Sequence, residues 1–283
     1  MATSIDILDY YRRGGEHARL AWGVGRLEYL RTLDVLTRML PPAPAVVLDV
    51  GGATGVYAEP LAAAGYRVHL LDLLPEHAAA AAGRAGVTAL AGDARALPVP
   101  DGRFDAVLLL GPLYHLLDRA DRVTAWREAA RAVRPGGPVV AATISRYASL
   151  FDGFAKGLFG DPDFRPLVER ALADGRHLNT RPERSWFTSA YFHHPTEPAS
   201  EATEAGLAVR RVVSVEGPLG FAGGRLDEIL ADPGQTELLL ELSRRVEDEP
   251  SLLGASGHLL TVAGRPRTAA RPADGDGVGS AAG

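Results

Sequence analysis

The sequence contains no cysteine. That absence excludes disulfides, thiolate metal sites, iron–sulfur clusters and a cysteine nucleophile together. Lysine is nearly missing as well: of 30 basic residues, 29 are arginine and one is Lys156. With Ala and Gly abundant, this skew marks GC-rich coding rather than a binding surface. Neither sign of charge dominates, since the formal net charge is −5, and no global field favours nucleic acid. Long apolar runs are also lacking. None approaches the roughly 18 residues of a membrane span, and residues 1–20 carry no apolar signal core. A cytoplasmic protein with no nucleic-acid and no membrane partner is expected. What is present is ordinary globular composition, 46% hydrophobic and 23% charged over 283 residues, enough for one large domain with additions.

The run Ala45-Val46-Val47-Leu48-Asp49-Val50 ends abruptly in Gly51-Gly52-Ala53-Thr54-Gly55, which predicts a strand feeding a glycine turn. A helix over 56–64, a strand over 67–71 ending in Asp72, a helix near 75–84 and a strand over 87–91 follow. Strands over 105–110 and 138–144 flank a helix at about 119–132. This alternation predicts an α/β domain, a parallel sheet with helices on both faces. Residues 1–40 are expected to cap a domain spanning 41–265, with Leu27, Leu30, Leu33, Leu36 and Leu40 of a helix over 18–40 docking on the sheet. Residues 145–195 interrupt the pattern and hold nine of the 19 aromatics. They suit either a cap over a pocket or a small satellite core. A helix near 197–206, a strand over 207–216, a helix near 226–247 and a strand over 258–263 complete the domain, and residues 266–283 read as a disordered tail.

A strand running into a glycine turn exposes backbone N–H groups to a ligand. The dinucleotide spacing is absent, because the third position from Gly51 is Ala53 and the sixth is Val56. No Gly-Lys-Ser/Thr ending follows either. A nicotinamide-dependent reductase and a nucleotide triphosphate binder are therefore disfavoured. Asp49-Val50-Gly51-Gly52-Ala53-Thr54-Gly55 instead resembles the first motif of class I S-adenosylmethionine (SAM)-dependent methyltransferases, an acid followed by Gly-x-Gly-x-Gly, with Ala53 at the middle glycine. Asp72, Gly92-Asp93-Ala94, Phe104 to Gly111 and Val133-Arg134-Pro135-Gly136-Gly137 extend the resemblance in order. It implies a small-molecule (UbiE-like) type with a Rossmann-like, seven-stranded sheet. Strand seven would be the antiparallel 258–263 segment, and an insertion would lie between strands five and six. The cofactor implied is SAM, leaving S-adenosylhomocysteine. Asp49, Gly51, Ala53 and Gly55 would surround its methionine portion, Asp72 its ribose, Asp93 and Ala94 its adenine, and Gly111 its sulfonium end.

For the acceptor, the resemblance excludes more than it selects. Gly111-Pro112-Leu113-Tyr114 lacks the Asn or Asp with which adenine and glutamine N-methyltransferases engage the target nitrogen. No Glu occurs from 104 to 127, so the paired-glutamate hairpin of arginine methyltransferases is missing. Gly111 stands where catechol methyltransferases place a metal-binding acid, and no metal is implied. A small aromatic or heterocyclic acceptor is expected, methylated by direct displacement. His115 is the first candidate base and His193 the second, while His194-Pro195 opens a helix. Tyr10-Tyr11 resembles the flexible cap of small-molecule methyltransferases, with a catalytic and cofactor-facing role for Tyr11. Arg26 could meet the cofactor carboxylate, or it could snorkel or pair with Glu28 or Asp34; Arg31 is the reserve. The overall layout is similar to actinomycete indole C3-methyltransferases that make pyrroloindolines. A homo-oligomer stays open, as does a non-catalytic, SAM-binding regulatory protein on the same fold.

Overall fold

The computed structural model describes residues 19–267 apart from 182 and 185. Tyr10, Tyr11 and nearly all of the expected tail lie outside them. Helix α1 (Gly23–Met39) leads into β1 (Val46–Val50), α2 (Ala58–Ala63), β2 (Arg67–Asp72), α3 (Pro75–Ala82), β3 (Val87–Ala91) and β4 (Ala106–Leu109). After a short 3-10 turn over Leu113–His115 come α4 (Arg119–Ala132) and β5 (Pro138–Ser145). Then follow α5 (Ala148–Ala155), α6 (Phe164–Asp174), β6 (Arg176–His177), β7 (Ala190–His193) and α7 (Glu197–Glu204). Strand β8 (Ala208–Ser214), helices α8 (Arg225–Ala231), α9 (Pro233–Arg244) and α10 (Pro250–Leu253), and β9 (His258–Gly264) end the described chain.

The fold is an α/β sandwich around one mixed sheet. Strands β1 and β5 are buried along their whole length, which is why they read as nearly continuous apolar runs rather than alternating ones, interrupted by Asp49 in β1 and by Thr143 and Ser145 in β5. The strand order β3-β2-β1-β4-β5 is parallel, and β9 pairs antiparallel with β5 from Pro138↔Gly264 to Ile144↔His258. Strand β8 pairs antiparallel with β9. The segment over 258–263 therefore takes the antiparallel place between β5 and β8, the strand expected over 207–216.

A second pairing on β5 had no sequence expectation. Strand β7 runs parallel to the last two residues of β5, Ile144↔Phe192 and Ser145↔His193, and β6 pairs with β7 as a short hairpin. The sheet thus rises beyond the end of β4 at this edge. Phe164, Leu167, Val168 and Trp186 form a separate apolar cluster over α6, and Phe192 packs with Ile144 and Ala171.

Two expectations need correction. Only the second half of α1 docks on the sheet, through Leu36 and Leu40; Leu27 packs instead against Leu226, Leu230 and Leu239 of α8 and α9. The expected helix over 226–247 is two helices. Asp232 caps the second by accepting from the Gln235 N–H at 2.9 Å, with Pro233 in its first turn. Proline fits there because a first-turn N–H has no intrahelical acceptor to lose.

Candidate active site

The C-terminal ends of β1 to β4 face one edge of the sheet, the place where open parallel sheets bind ligands. A cavity of about 150 Å³ lies there. Its floor is the loop after β1. Gly51, at φ +72°, and Ala53, at φ +48°, both take left-handed backbone, which for Ala53 costs about 1 kcal/mol or more. Gly51 has a second reason to lack a side chain, since a Cβ there would meet Pro112 Cδ at 2.8 Å. A Cβ on Gly111 would meet the Gly51 carbonyl oxygen at 2.6 Å. The loops after β1 and β4 therefore touch, and the cradle exists only because both are bare.

Asp72 closes β2 and holds this floor in place. One carboxylate oxygen accepts from the Ala53 N–H and the other from the Leu74 N–H, each at 2.9 Å. His77, from the first turn of α3, approaches the latter oxygen at 3.3 Å. A carboxylate has about four acceptor sites, so two backbone bonds leave capacity for a ligand in the cavity that Asp72 lines. Asp93 and Ala94 line it from the loop after β3. Three guanidinium contacts of 2.6–3.2 Å and the backbone N–H at 2.8 Å, all from Arg95, fix the Asp93 carboxyl and hold it below the usual carboxylate range.

Asp49 is not on the surface of the cavity but beneath it. It is wholly buried, and a Cβ on Gly52 would lie 2.5 Å from its Oδ2. Neither of its carboxylate oxygens has a hydrogen-bond partner among the described residues. Burial, with the charge of Asp72 added, pushes this carboxyl up to about 7. Gly55 is also absent from the cavity wall. Its φ of +89° turns the chain into α2, and a Cβ there would meet Arg84 Cδ at 2.9 Å.

Tyr114 and His115 supply the far wall, in ring contact with each other at 4.6 Å and both near Phe187. The segment is anchored by Arg122 of α4, whose guanidinium donates to the Leu116 and Leu117 carbonyls at 3.0 Å and to Glu201 at 2.8 Å. Among the nine aromatics of the 145–195 region none lines the cavity; Phe187 reaches it through Tyr114 and His115.

His193 and Arg26 are placed elsewhere. His193 has no exposed surface, sits 3.5 Å from Glu201, and is held below the usual histidine range, chiefly by burial. It cannot touch a ligand in the cavity. Arg26 is exposed and does not line the cavity, because its position on α1 faces solvent while Leu27 turns inward. Arg31 is buried and bonded to Glu247, Asp34 and the Val215 carbonyl, so it ties α1 to the C-terminal region. Tyr11 lies outside the described residues.

Sequence reasoning missed Tyr57, His77 and Arg95 in the cavity wall. His77 was readable, since Pro75-Glu76-His77 opens a helix three residues after Asp72. It also missed a cluster beyond the end of β8. Glu216 accepts from His258 Nδ1 at 2.6 Å, from the His258 N–H at 2.9 Å and from Ser256 Oγ at 2.7 Å. Glu28 of α1 approaches the same imidazole at 3.6 Å. Donor atoms of Glu28, Glu216 and His258 lie within 4.8 Å of one another, an arrangement able to hold a cation. Burial would lower His258, but the Glu28 and Glu216 charges outweigh it and raise it to about 9, so a proton supplies that cation at neutral pH.

Residues 47–137 match the family model described as "Methyltransferase domain", a segment running from β1 to the turn before β5. A curated relative, the ubiquinone biosynthesis O-methyltransferase of Methylocella silvestris, is 39% identical over 110 residues, 37% of this chain and 42% of that protein. The enzyme of the same name from Xanthomonas axonopodis pv. citri is 32% identical over 151 residues, 51% of this chain and 59% of that one. The chain spans about half the length of the curated relatives it matches. Among solved structures, an S-adenosylmethionine dependent methyltransferase from Mesorhizobium loti superposes with a TM-score of 0.55 at 20% identity, covering 84% of this chain and 100% of that one. Geranyl diphosphate C-methyltransferase from Streptomyces coelicolor A3(2) gives 0.51 at 16% identity, over 83% and 79%. At such identities these likenesses establish the fold alone, a Rossmann-like α/β architecture.

Proposed function

We propose that the protein is a SAM-dependent methyltransferase that methylates a small aromatic or heterocyclic acceptor. The observation that carries this reading is the bare cradle between the loops after β1 and β4, with acids on β2 and β3 beside it and an imidazole across from it. The residues fit the cofactor: a Cβ at Gly51 or Gly111 would close the cradle, and a buried carboxylate without a partner lies directly under it. Gly51 and Ala53 would hold the methionine portion, Asp72 the ribose and Asp93 with Ala94 the adenine. When bound, the cofactor supplies an electrophilic methyl carbon on a sulfonium.

The chain's own part is positioning, water exclusion and proton handling. Leu20, Val56, Leu110 and Leu116 make the remaining wall largely apolar, which keeps water from the reacting atoms. Arg122 holds the backbone just after His115, so the imidazole meets the acceptor at a fixed place. His115 Nε2 takes the acceptor proton as its oxygen, nitrogen or ring carbon attacks, because Nδ1 is shielded from solvent. Oxygen is the first atom to test, since the curated relatives are named O-methyltransferases; the C3 carbon of an indole is the second.

Calorimetry with SAM and S-adenosylhomocysteine tests the cofactor. No binding by folded protein overturns the reading. Incubation with SAM and panels of phenols, indoles and amines tests the reaction, with a product heavier by about 14 mass units expected. Binding without any such product would favour the regulatory alternative.

A further inference from the structure

Asp49 poses a problem that cofactor positioning alone does not solve. A carboxylate with no exposed surface and no hydrogen bond to either oxygen is among the costliest groups to bury. Among the described residues its surroundings offer nothing to offset the cost. Leu70 and Leu108 flank it in register on β2 and β4. On the face of the sheet shared with Val47, α1 presents Val35 and Leu36, and α2 presents Ala58 and Leu61. The one charge acting on it among the described residues is another acid, Asp72 of β2; His77 of α3 faces Asp72 in turn. Among the described residues no cation is in position to balance Asp49. Above it lies Gly52, where any side chain would run into the carboxyl, and the backbone of this same loop forms the floor of the cavity.

We propose that Asp49 is a proton-releasing counter-charge: a cationic ligand settling on the loop drives the proton off its carboxyl, so that ligand charge, and not shape alone, is read through the floor of the site. The inference rests on the donor-site reading above. In the exchange one O–H bond of Asp49 breaks and its proton passes to the solvent; nothing is oxidised or reduced. The ligand class selected is a sulfonium, because the donor carries one positive charge more than the thioether that remains after methyl transfer. The same protein therefore favours fresh donor over spent product without any difference in contacts.

The geometry makes the effect pH-dependent. A carboxyl ionising near pH 7 is about one-tenth ionised at pH 6 and nine-tenths at pH 8. Donor affinity should rise up to about tenfold between those values, by the linkage between proton and ligand binding, and product affinity by a smaller factor. The experiment is calorimetry of wild-type protein at pH 6, 7 and 8 in two buffers of different ionisation enthalpy, with SAM and with S-adenosylhomocysteine. Expected is release of close to one proton at pH 6 on binding SAM and less on binding S-adenosylhomocysteine. Asp49→Asn, confirmed as folded by circular dichroism, should still bind both ligands but lose the proton release and the pH dependence. Equal proton release for the two ligands, no release in the wild type, or an unchanged pH dependence in Asp49→Asn would each overturn the proposal while leaving the cofactor assignment standing. If neither ligand binds at any pH, the donor-site reading itself fails, and this inference with it.

Discussion

Replacing Glu216 with glutamine removes one charge from a pair 42 residues apart in sequence that, among the described residues, touches no other charged network except Glu28 and, through it, Arg19. Burial alone would raise the Glu216 carboxyl, but the His258 charge and hydrogen bonds from His258 and Ser256 override it and leave it at about 2, against an ordinary 4.5. At about 1.4 kcal/mol per pH unit this corresponds to roughly 3 kcal/mol. The rise of His258 from 6.5 to about 9 expresses largely the same interaction seen from the other side, so the two are not added. For Glu216, with its folded value depressed, the stabilisation is complete above about pH 4.5 and disappears as pH falls through about 2. For His258, with its folded value raised, it is complete below about pH 6.5 and disappears as pH rises through about 9. Wild type should therefore exceed Glu216→Gln by about 3 kcal/mol near pH 5.5 and by much less at pH 10. Urea unfolding followed by circular dichroism at both pH values measures this, and the wild-type minus variant difference cancels every other titration. A gap as large at pH 10 as at pH 5.5 would refute the ion-pair account.

Three further outcomes are expected. Ala53→Gly relieves left-handed strain of at least about 1 kcal/mol but adds freedom to the unfolded chain, so a net gain of about 0.5 kcal/mol should appear as a slightly higher melting temperature; a loss above 1 kcal/mol would show that the alanine methyl is packed rather than strained. Asp72→Ala strips acceptors from the Ala53 and Leu74 N–H groups, which should cost about 1–3 kcal/mol in stability and weaken SAM binding strongly, while unchanged affinity in calorimetry would remove Asp72 from the site. His115→Ala should lose turnover and keep SAM affinity, whereas His193→Ala should keep turnover per folded molecule and lose about 2 kcal/mol of stability from the emptied interior; kinetics and urea melts on the two variants separate the roles.

Most strands could be read from the chain because the signal there is strong and local. Val46 to Val50 is short, apolar except for Asp49, and ended by glycine, so neither its type nor its end was ambiguous, and Asp72 closes β2 while Asp93 follows β3. The 145–195 region was opaque for a physical reason. Its aromatics divide between a cluster over α6 with Phe164 and Trp186, the packing of Phe192 on Ile144, and exposed Phe154, so composition signalled enrichment but not where each ring would go. The hairpin of Arg176–His177 with Ala190–His193 is too short to show periodicity. His193 and Arg26 failed as site residues because adjacency in sequence says little about which side of a strand or helix a residue occupies. The break at Asp232-Pro233 was legible, as an acid before a first-turn proline. The Glu28, Glu216 and His258 group was not, since three elements bring it together and no local pattern links them.

Helix α1 carries a consequence for how the chain comes to be folded. Its buried Arg31 bonds to Glu247, 216 residues later, and Arg38 reaches the same carboxylate across 209 residues. At typical synthesis rates, roughly 10 to 40 s separate the appearance of the two ends. During that interval Arg31 has only Asp34 of its own helix to pair with. The first of the described helices is thus among the last to find its place, and it closes over the end of β8 only after α9 has been made. Folding on the ribosome should leave this end of the sheet, and the Glu216–His258 pair beside it, open until synthesis is nearly done.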